Sequence, residues 1–134
     1  MNQFPLRIVT PDGLVYDGKA EELIVRTTTG DLGILAGHVN CVAPLGMGRA
    51  TVMIDGKKRY GACIGGMVSM MDGKATLVAT TFEWADQIDI KRAGRSEERA
   101  RAVLADSKST DTEIRLAQAR LKRALIRKSV ADKQ

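Results

Sequence analysis

Twelve of the 13 glycines and all three prolines fall before residue 91. That asymmetry constrains the fold more than any single motif. Both residues are disfavoured inside helices, so two physically different regions meet near Ile88. The joint lies at Ile88-Asp89-Ile90-Lys91-Arg92-Ala93, where a glycine-rich, strand-like region gives way to an arginine-rich, helical one. Charge divides at the same place. Residues 1–90 carry 8 Lys/Arg and 10 Asp/Glu, net −2, and residues 91–134 carry 13 and 6, net +7, which together give the chain its +5. A basic C-terminal region favours an anionic partner: nucleic acid, nucleotide, a lipid surface or an acidic protein face.

The first region reads as short antiparallel strands. Asp-Gly recurs at Asp12-Gly13, Asp17-Gly18, Asp55-Gly56 and Asp72-Gly73, and both residues of that pair tolerate the positive φ of tight turns. Apolar, β-branched runs lie between, at residues 6–10, 14–16, 23–28, 49–54, 59–64, 67–71 and 75–80. Such spacing predicts a sandwich or a closed barrel. Gly65-Gly66, between two runs, suggests a bulge or a sharp corner. Aromatic residues make up only 4% of the chain, so the core must be mostly aliphatic.

From about residue 90 the period changes. Ala93, Ala100, Val103 and Leu104 fall at helical spacing to about residue 106, with Gly94 costing about 1 kcal/mol relative to Ala. Ser107-Lys108-Ser109 interrupts the pattern. Thr110-Asp111-Thr112-Glu113 has the form of a capping box, which starts a second helix with Ile114, Ala117, Leu121, Ala124 and Leu125 on its apolar side. So short a linker predicts an antiparallel helical hairpin. Alanine-rich facing stripes allow close approach but bury little area, so the hairpin should be marginal. The expected division is a β-sandwich over 1–87 and a hairpin over 88–134.

Several chemistries lack support. No window approaches 18 uncharged apolar residues, so nothing reads as a membrane span. The first residues show no basic-then-apolar signal pattern, which points to a cytosolic chain with Cys41 and Cys63 reduced and structural. The run Gly30-Asp31-Leu32-Gly33-Ile34-Leu35-Ala36-Gly37-His38 lacks the Gly-Lys-Ser/Thr ending of a phosphate loop and no helical pattern follows it. His38, the only histidine, reads as structural or superficial rather than as a metal ligand. No nucleophile stands beside a base, and Asp86 and Asp89 read first as helix caps. Catalysis by this chain alone is not expected.

One constellation carries chemistry. Arg92, Arg95 and Arg99 are spaced i, i+3, i+7, and so are Arg120, Arg123 and Arg127, which puts each trio along one side of its helix. In an antiparallel hairpin the rows could converge on a polyphosphate, whose oxygens suit planar guanidinium forks. Charged rows also occur as plain solvated faces. A third reading is a basic helical module on nucleic acid. The basic region has no aromatic residues for base stacking, which disfavours single strands but leaves duplex backbone binding open.

The residues together resemble the epsilon subunit of bacterial F-type ATP synthases, along essentially the whole chain. The resemblance rests on Pro11-Asp12-Gly13, the run 30–38, Pro44-Leu45, Gly65-Gly66, residues 80–85 and Ile88-Asp89-Ile90-Lys91-Arg92-Ala93. The last fits the Ile/Leu-Asp-x-x-Arg-Ala pattern associated with ATP binding in epsilon subunits of Bacillus-like bacteria. Ala36 departs from the family, which usually has proline there, and loosens that loop.

The resemblance implies a sandwich of about ten strands followed by a two-helix hairpin, in a non-catalytic central-stalk subunit. It implies that the sandwich binds the gamma subunit and the membrane c-ring, coupling proton-driven rotation to ATP synthesis. It implies that the hairpin is a switch, permitting ATP hydrolysis when folded against the sandwich and blocking it when extended along gamma into the alpha/beta catalytic hexamer. No nucleic-acid partner is then expected, and the chain would sit on the cytoplasmic face of the bacterial membrane only through its complex. Carried over residue by residue, the ATP site would comprise Glu83, Ile88, Asp89, Arg92, Ala93, Arg99, Arg123 and Arg127, with no metal ligands although Mg2+ could accompany the nucleotide. The arginines would hold phosphates, Asp89 and Glu83 would take the adenine amino group or fix an arginine, and Ile88 and Ala93 would flank the base. ATP would be a regulatory ligand, not a catalytic cofactor. Trp84, beside this site in sequence, reads as a packing residue whose fluorescence could report binding.

Overall fold

Two of the Asp-Gly pairs form the tight turns that the sequence predicts. Asp55 and Gly56 have φ of 52° and 76°, and Asp72 and Gly73 have φ of 50° and 80°. Positive φ at both positions gives a turn whose twist matches the strands it joins. These turns link β6 (Met47–Ile54) to β7 (Lys57–Met71) and β7 to β8 (Lys74–Trp84). Before them come β1 (Phe4–Thr10), β2 (Gly13–Ala20), β3 (Glu22–Thr27), β4 (Gly30–Leu35) and β5 (Cys41–Pro44). The computed structural model describes residues 2–133.

The strands hydrogen-bond in the order β2-β1-β8-β7-β6-β3-β4, with β5 also on β7. β7 changes neighbour along its length: residues 57–64 pair with β6, and residues 67–70 pair with β5. β8 keeps one register with β7 across both stretches, and β1 joins β8 over residues 75–78 only. The result is two five-stranded arrays, β2-β1-β8-β7-β5 and β8-β7-β6-β3-β4, that share β7 and β8. This is the expected sandwich, and its ten strand segments come from eight strands because two strands serve both arrays. The switch of neighbour occurs at Gly65-Gly66. Gly66 has φ of 112°, and a Cβ there would collide with the carbonyl oxygen of Val78, so the corner requires glycine. Alternate residues of the strands, among them Leu6, Ile8, Leu23, Val25, Ile34, Val52, Val68 and Leu77, are fully buried in one aliphatic core.

Three strand-level expectations need correction. Asp17-Gly18 is no turn: both residues lie inside β2, opposite Arg7 and Leu6. Gly18 is there for space, since a Cβ would come within 2.8 Å of the Tyr16 hydroxyl, which donates to the Lys19 carbonyl at 2.6 Å. The sheet is not wholly antiparallel, because β1 and β8 run parallel. β4 and β5 fall outside the expected runs. β4 contains two glycines and pairs on one side only, with β3, so it has no continuous apolar pattern to recognise.

The chain divides into two compact units between Trp84 and Ala85. At the end of the β unit, the Trp84 ring is packed on three sides. The Arg59 guanidinium lies 3.9 Å above it, and Phe82 and Tyr16 meet it edge-on at 4.9 and 6.4 Å between centroids. The helical unit opens with a 3-10 turn, Ala85–Gln87, followed by α1 (Ile90–Ala105) and α2 (Asp111–Ala131). Asp89 caps α1, its carboxylate accepting from Arg92 N–H at 3.0 Å. Thr110 and Glu113 form the expected capping box of α2: Glu113 N–H donates to the Thr110 hydroxyl at 3.1 Å, and Thr110 N–H donates to the Glu113 carboxylate at 3.2 Å. The loop is held by Ser109, whose hydroxyl donates to the Val103 carbonyl at 2.7 Å.

Candidate functional site

The hairpin is held by alanines at seven-residue spacing. Ala93 and Ala100 on α1, and Ala117, Ala124 and Ala131 on α2, are all at most 4% exposed. Seven residues are close to two helical turns, so each set forms a line, and the two lines meet in an antiparallel seam with no side chain larger than a methyl at those positions. Leu125, expected on the apolar stripe, is instead 41% exposed. Of these two neighbours, both expected on the stripe, only Ala124 is buried in the seam.

The arginines inherit their placement from this seam. Arg92 and Arg99 directly precede Ala93 and Ala100, and Arg120 and Arg127 follow Ala117 and Ala124 by three residues. Each therefore flanks the seam rather than standing opposite it. A cleft of about 160 Å³ opens between the helices, with Arg99 on one side and Arg120 on the other. Buried Ala100 and Ala117 form its floor, and Val103, Leu116 and Glu113 close it toward the loop. One arginine of each row, Arg99 and Arg120, thus lines the same cleft.

The other candidate residues are distributed as follows. Arg92 is exposed, while Arg123 and Arg127 are half-buried on α2. Ile88 is buried, and Ala93 lies in the seam. Asp89 is engaged as the cap of α1. Glu83 lies on β8, opposite Ala62 of β7, and so belongs to the β unit, whereas the other seven belong to the helical unit. His38 sits before β5, its Nδ1 2.8 Å from the Val39 carbonyl and 3.9 Å from Cys41 Sγ. Burial pushes the Cys63 thiol up to about 12, so it stays protonated. Among the described residues no three His, Cys, Asp or Glu side chains cluster as a metal site would need.

One interaction escaped sequence reasoning. Glu97 on α1 accepts from Lys128 of α2 at 2.8 Å and from Arg101 at 3.0 Å. The hydrogen bond from Lys128, then that from Arg101, holds its carboxyl below the usual range. The Arg101 partner is visible at i+4. Lys128 lies 31 residues away, and only the seam's register brings it across.

Two family models match this chain in tandem: the ATP synthase delta/epsilon chain beta-sandwich domain over residues 3–85, and the ATP synthase delta/epsilon chain long alpha-helix domain over residues 86–132. Sandwich and hairpin together define the class, a delta/epsilon chain of an ATP synthase. The ATP synthase epsilon chain of Ruminococcus albus is 40% identical over 135 residues, covering 100% of both chains. That of Bacillus velezensis is 41% identical over 131 residues, 98% of each chain, and that of Bacillus subtilis is 44% identical over 115 residues, 86% of each. This chain belongs to the family of ATP synthase epsilon chains. The fold recurs in a chain of the Euglena gracilis mitochondrial ATP synthase, an OSCP/F1/c-ring structure in rotational state 1, with a TM-score of 0.82 at 22% identity over 98% of this chain and 82% of that one. It recurs with a TM-score of 0.60 at 13% identity, over 97% of each chain, in the central stalk/c-ring of the Tetrahymena thermophila mitochondrial ATP synthase. No helix among the described residues is long and apolar enough to cross a membrane.

Proposed function

We propose that this chain is a non-catalytic rotor subunit in the central stalk of an F-type ATP synthase, peripheral on the cytoplasmic face of the membrane. Its sandwich would dock on the gamma subunit and the c-ring and help couple proton-driven rotation to ATP synthesis. Its hairpin would restrain ATP hydrolysis in the alpha/beta hexamer when its helices separate. Full-length similarity to bacterial epsilon chains supports the assembly role, and the same fold in OSCP/F1/c-ring and central stalk/c-ring assemblies is consistent with it.

ATP would be the signal, bound by Arg92, Arg99, Arg123 and Arg127 with Ile88, Asp89, Ala93 and Glu83 around the base. Mg2+ could accompany the phosphates. The observation that supports this reading is the alanine seam, which pairs the two helices that carry these arginines; of the four, Arg99 lines the groove between them. A ligand held by both rows binds only the paired helices, so it stabilises them by RT ln(1 + [ATP]/Kd), about 2.7 kcal/mol at a hundredfold excess over Kd.

Calorimetric titration of the full chain with ATP, ADP and duplex DNA at physiological salt tests the reading. The expected result is one-to-one ATP binding that Arg92→Ala and Arg123→Ala abolish. Absence of ATP binding at millimolar concentration removes the nucleotide signal and leaves the rotor role. Salt-steep DNA binding without nucleotide preference would favour the nucleic-acid module instead.

A further inference from the structure

Two of the Asp-Gly turns are built alike and guarded differently. Asp55-Gly56 and Asp72-Gly73 each join two strands directly, with φ of 52° and 76° in the first and 50° and 80° in the second. All four residues are exposed. An Asp-Gly pair can modify itself. The glycine nitrogen attacks the aspartate Cγ, a C–N bond forms, and the carboxyl OH leaves with the amide proton as water. Water then reopens the succinimide at either carbonyl, giving aspartate or isoaspartate. Glycine favours the attack because no side chain hinders the close approach of its backbone. The two turns share conformation and exposure but differ at the attacking nitrogen. Gly56 N–H donates to the Glu21 carboxylate at 2.6 Å. Glu21 is 7% exposed, and its own N–H donates to the Met53 carbonyl at 2.8 Å, so the acceptor is fixed. No side chain accepts from Gly73 N–H among the described residues. The bond at that turn, to Asn40 Oδ1 at 2.9 Å, engages the N–H of Asp72 instead.

We propose that Asp72 is a site of spontaneous isoaspartate formation and that Glu21 protects Asp55 from the same reaction. Attack on Asp55 must first release the hydrogen bond to Glu21. A carboxylate is too weak a base to take an amide proton, so the bond restrains the nitrogen without activating it. Asp17-Gly18 lies inside β2, with Asp17 paired to Arg7 at 3.3 Å. At Asp12-Gly13 only the glycine has positive φ, so the matched comparison is between the other two turns. Isoaspartate at position 72 adds one carbon to the main chain. The turn there sets the register of β7 with β8, the two strands that both arrays share.

Ageing the full chain at neutral pH in water enriched in heavy oxygen provides the test. Each passage through succinimide leaves a heavy oxygen in the aspartate or isoaspartate that forms. Peptide mass spectrometry then reads both turns in one sample, and a protease that cleaves before aspartate but not before isoaspartate separates the two products. The reaction at Asp55 should be roughly ten- to 150-fold slower than at Asp72, the range for losing a hydrogen bond to a charged group. Glu21→Ala should bring Asp55 up to the rate of Asp72 and leave Asp72 unchanged. Glu21→Gln, whose amide oxygen can still accept, should fall between. Unchanged far-UV circular dichroism should show that each variant folds, and the wild-type ratio stands without any variant. Equal wild-type rates at the two turns overturn the proposal. So does a faster reaction at Asp55, which would make Glu21 a promoter of the attack. Glu21→Ala that folds and leaves Asp55 slow removes Glu21 as the guard.

Discussion

Ala124→Leu isolates the seam from every other contribution to the hairpin. Leucine is nearly as good a helix former as alanine, so the substitution leaves each helix as willing to form as before. It adds three carbons at a position 1% exposed, in a seam lined by methyl groups. Overpacking of this kind costs about 1–3 kcal/mol. The helical unit has little apolar burial to offset that. At 1.4 kcal/mol per factor of ten, exchange of amide hydrogens in α1 and α2 should speed roughly five- to 150-fold. Exchange in β7 and β8 should not change, because the sandwich has its own core. Leu125→Ala is the control: the neighbouring side chain is 41% exposed, and such changes stay within about 0.5 kcal/mol. If Ala124→Leu leaves helix exchange at the wild-type rate, close approach along the alanine line is not what pairs the helices. If it loosens sandwich and helices equally, the two units do not open separately.

Thr110→Ala removes one half of the capping box and should cost α2 about 1 kcal/mol, seen as faster exchange confined to its first turns. Lowering the pH should loosen the hairpin through Glu97. Its carboxyl titrates below the ordinary value of 4.5 in the folded chain, so the stability it contributes is complete above that value and is lost as pH falls through the lowered one. Glu97→Gln should flatten this acid-side loss in a circular dichroism titration, while the wild-type curve keeps it. Gly66→Ala meets the Val78 carbonyl and a φ of 112°. It should destabilise the sandwich by more than the roughly 1–3 kcal/mol usual for a strained backbone alone, read as a lowered melting temperature.

What the sequence revealed and what it hid follow from the range of the interactions. The turns at Asp55-Gly56 and Asp72-Gly73, the capping box at Thr110 and the cap at Asp89 each depend on residues within four positions of one another, and all were legible. Asp17-Gly18 has the same local signature, but there the glycine makes room for the Tyr16 ring, a fact about a side chain folding back and not about φ. The parallel pairing of β1 with β8 joins residues about 70 positions apart, beyond any local period. The ten-strand expectation came from resemblance, and its origin in two strands shared by two arrays became visible only from the register. Within the hairpin, the alanines were recognised as apolar positions, and both arginine rows were seen from spacing. The register of the seam was not. It alone decides that Arg99 and Arg120 line one cleft and that Lys128 reaches Glu97.

The most direct test of an ATP site shared by both helices is hydrogen exchange across the full chain with and without ATP at a hundredfold excess over Kd. If the nucleotide binds only the paired helices, protection of α1 and α2 should rise together by roughly a hundredfold, the equivalent of about 2.7 kcal/mol, with β7 and β8 unchanged. Helices that exchange at the same rate in either condition, or protection gained in one helix alone, would contradict it.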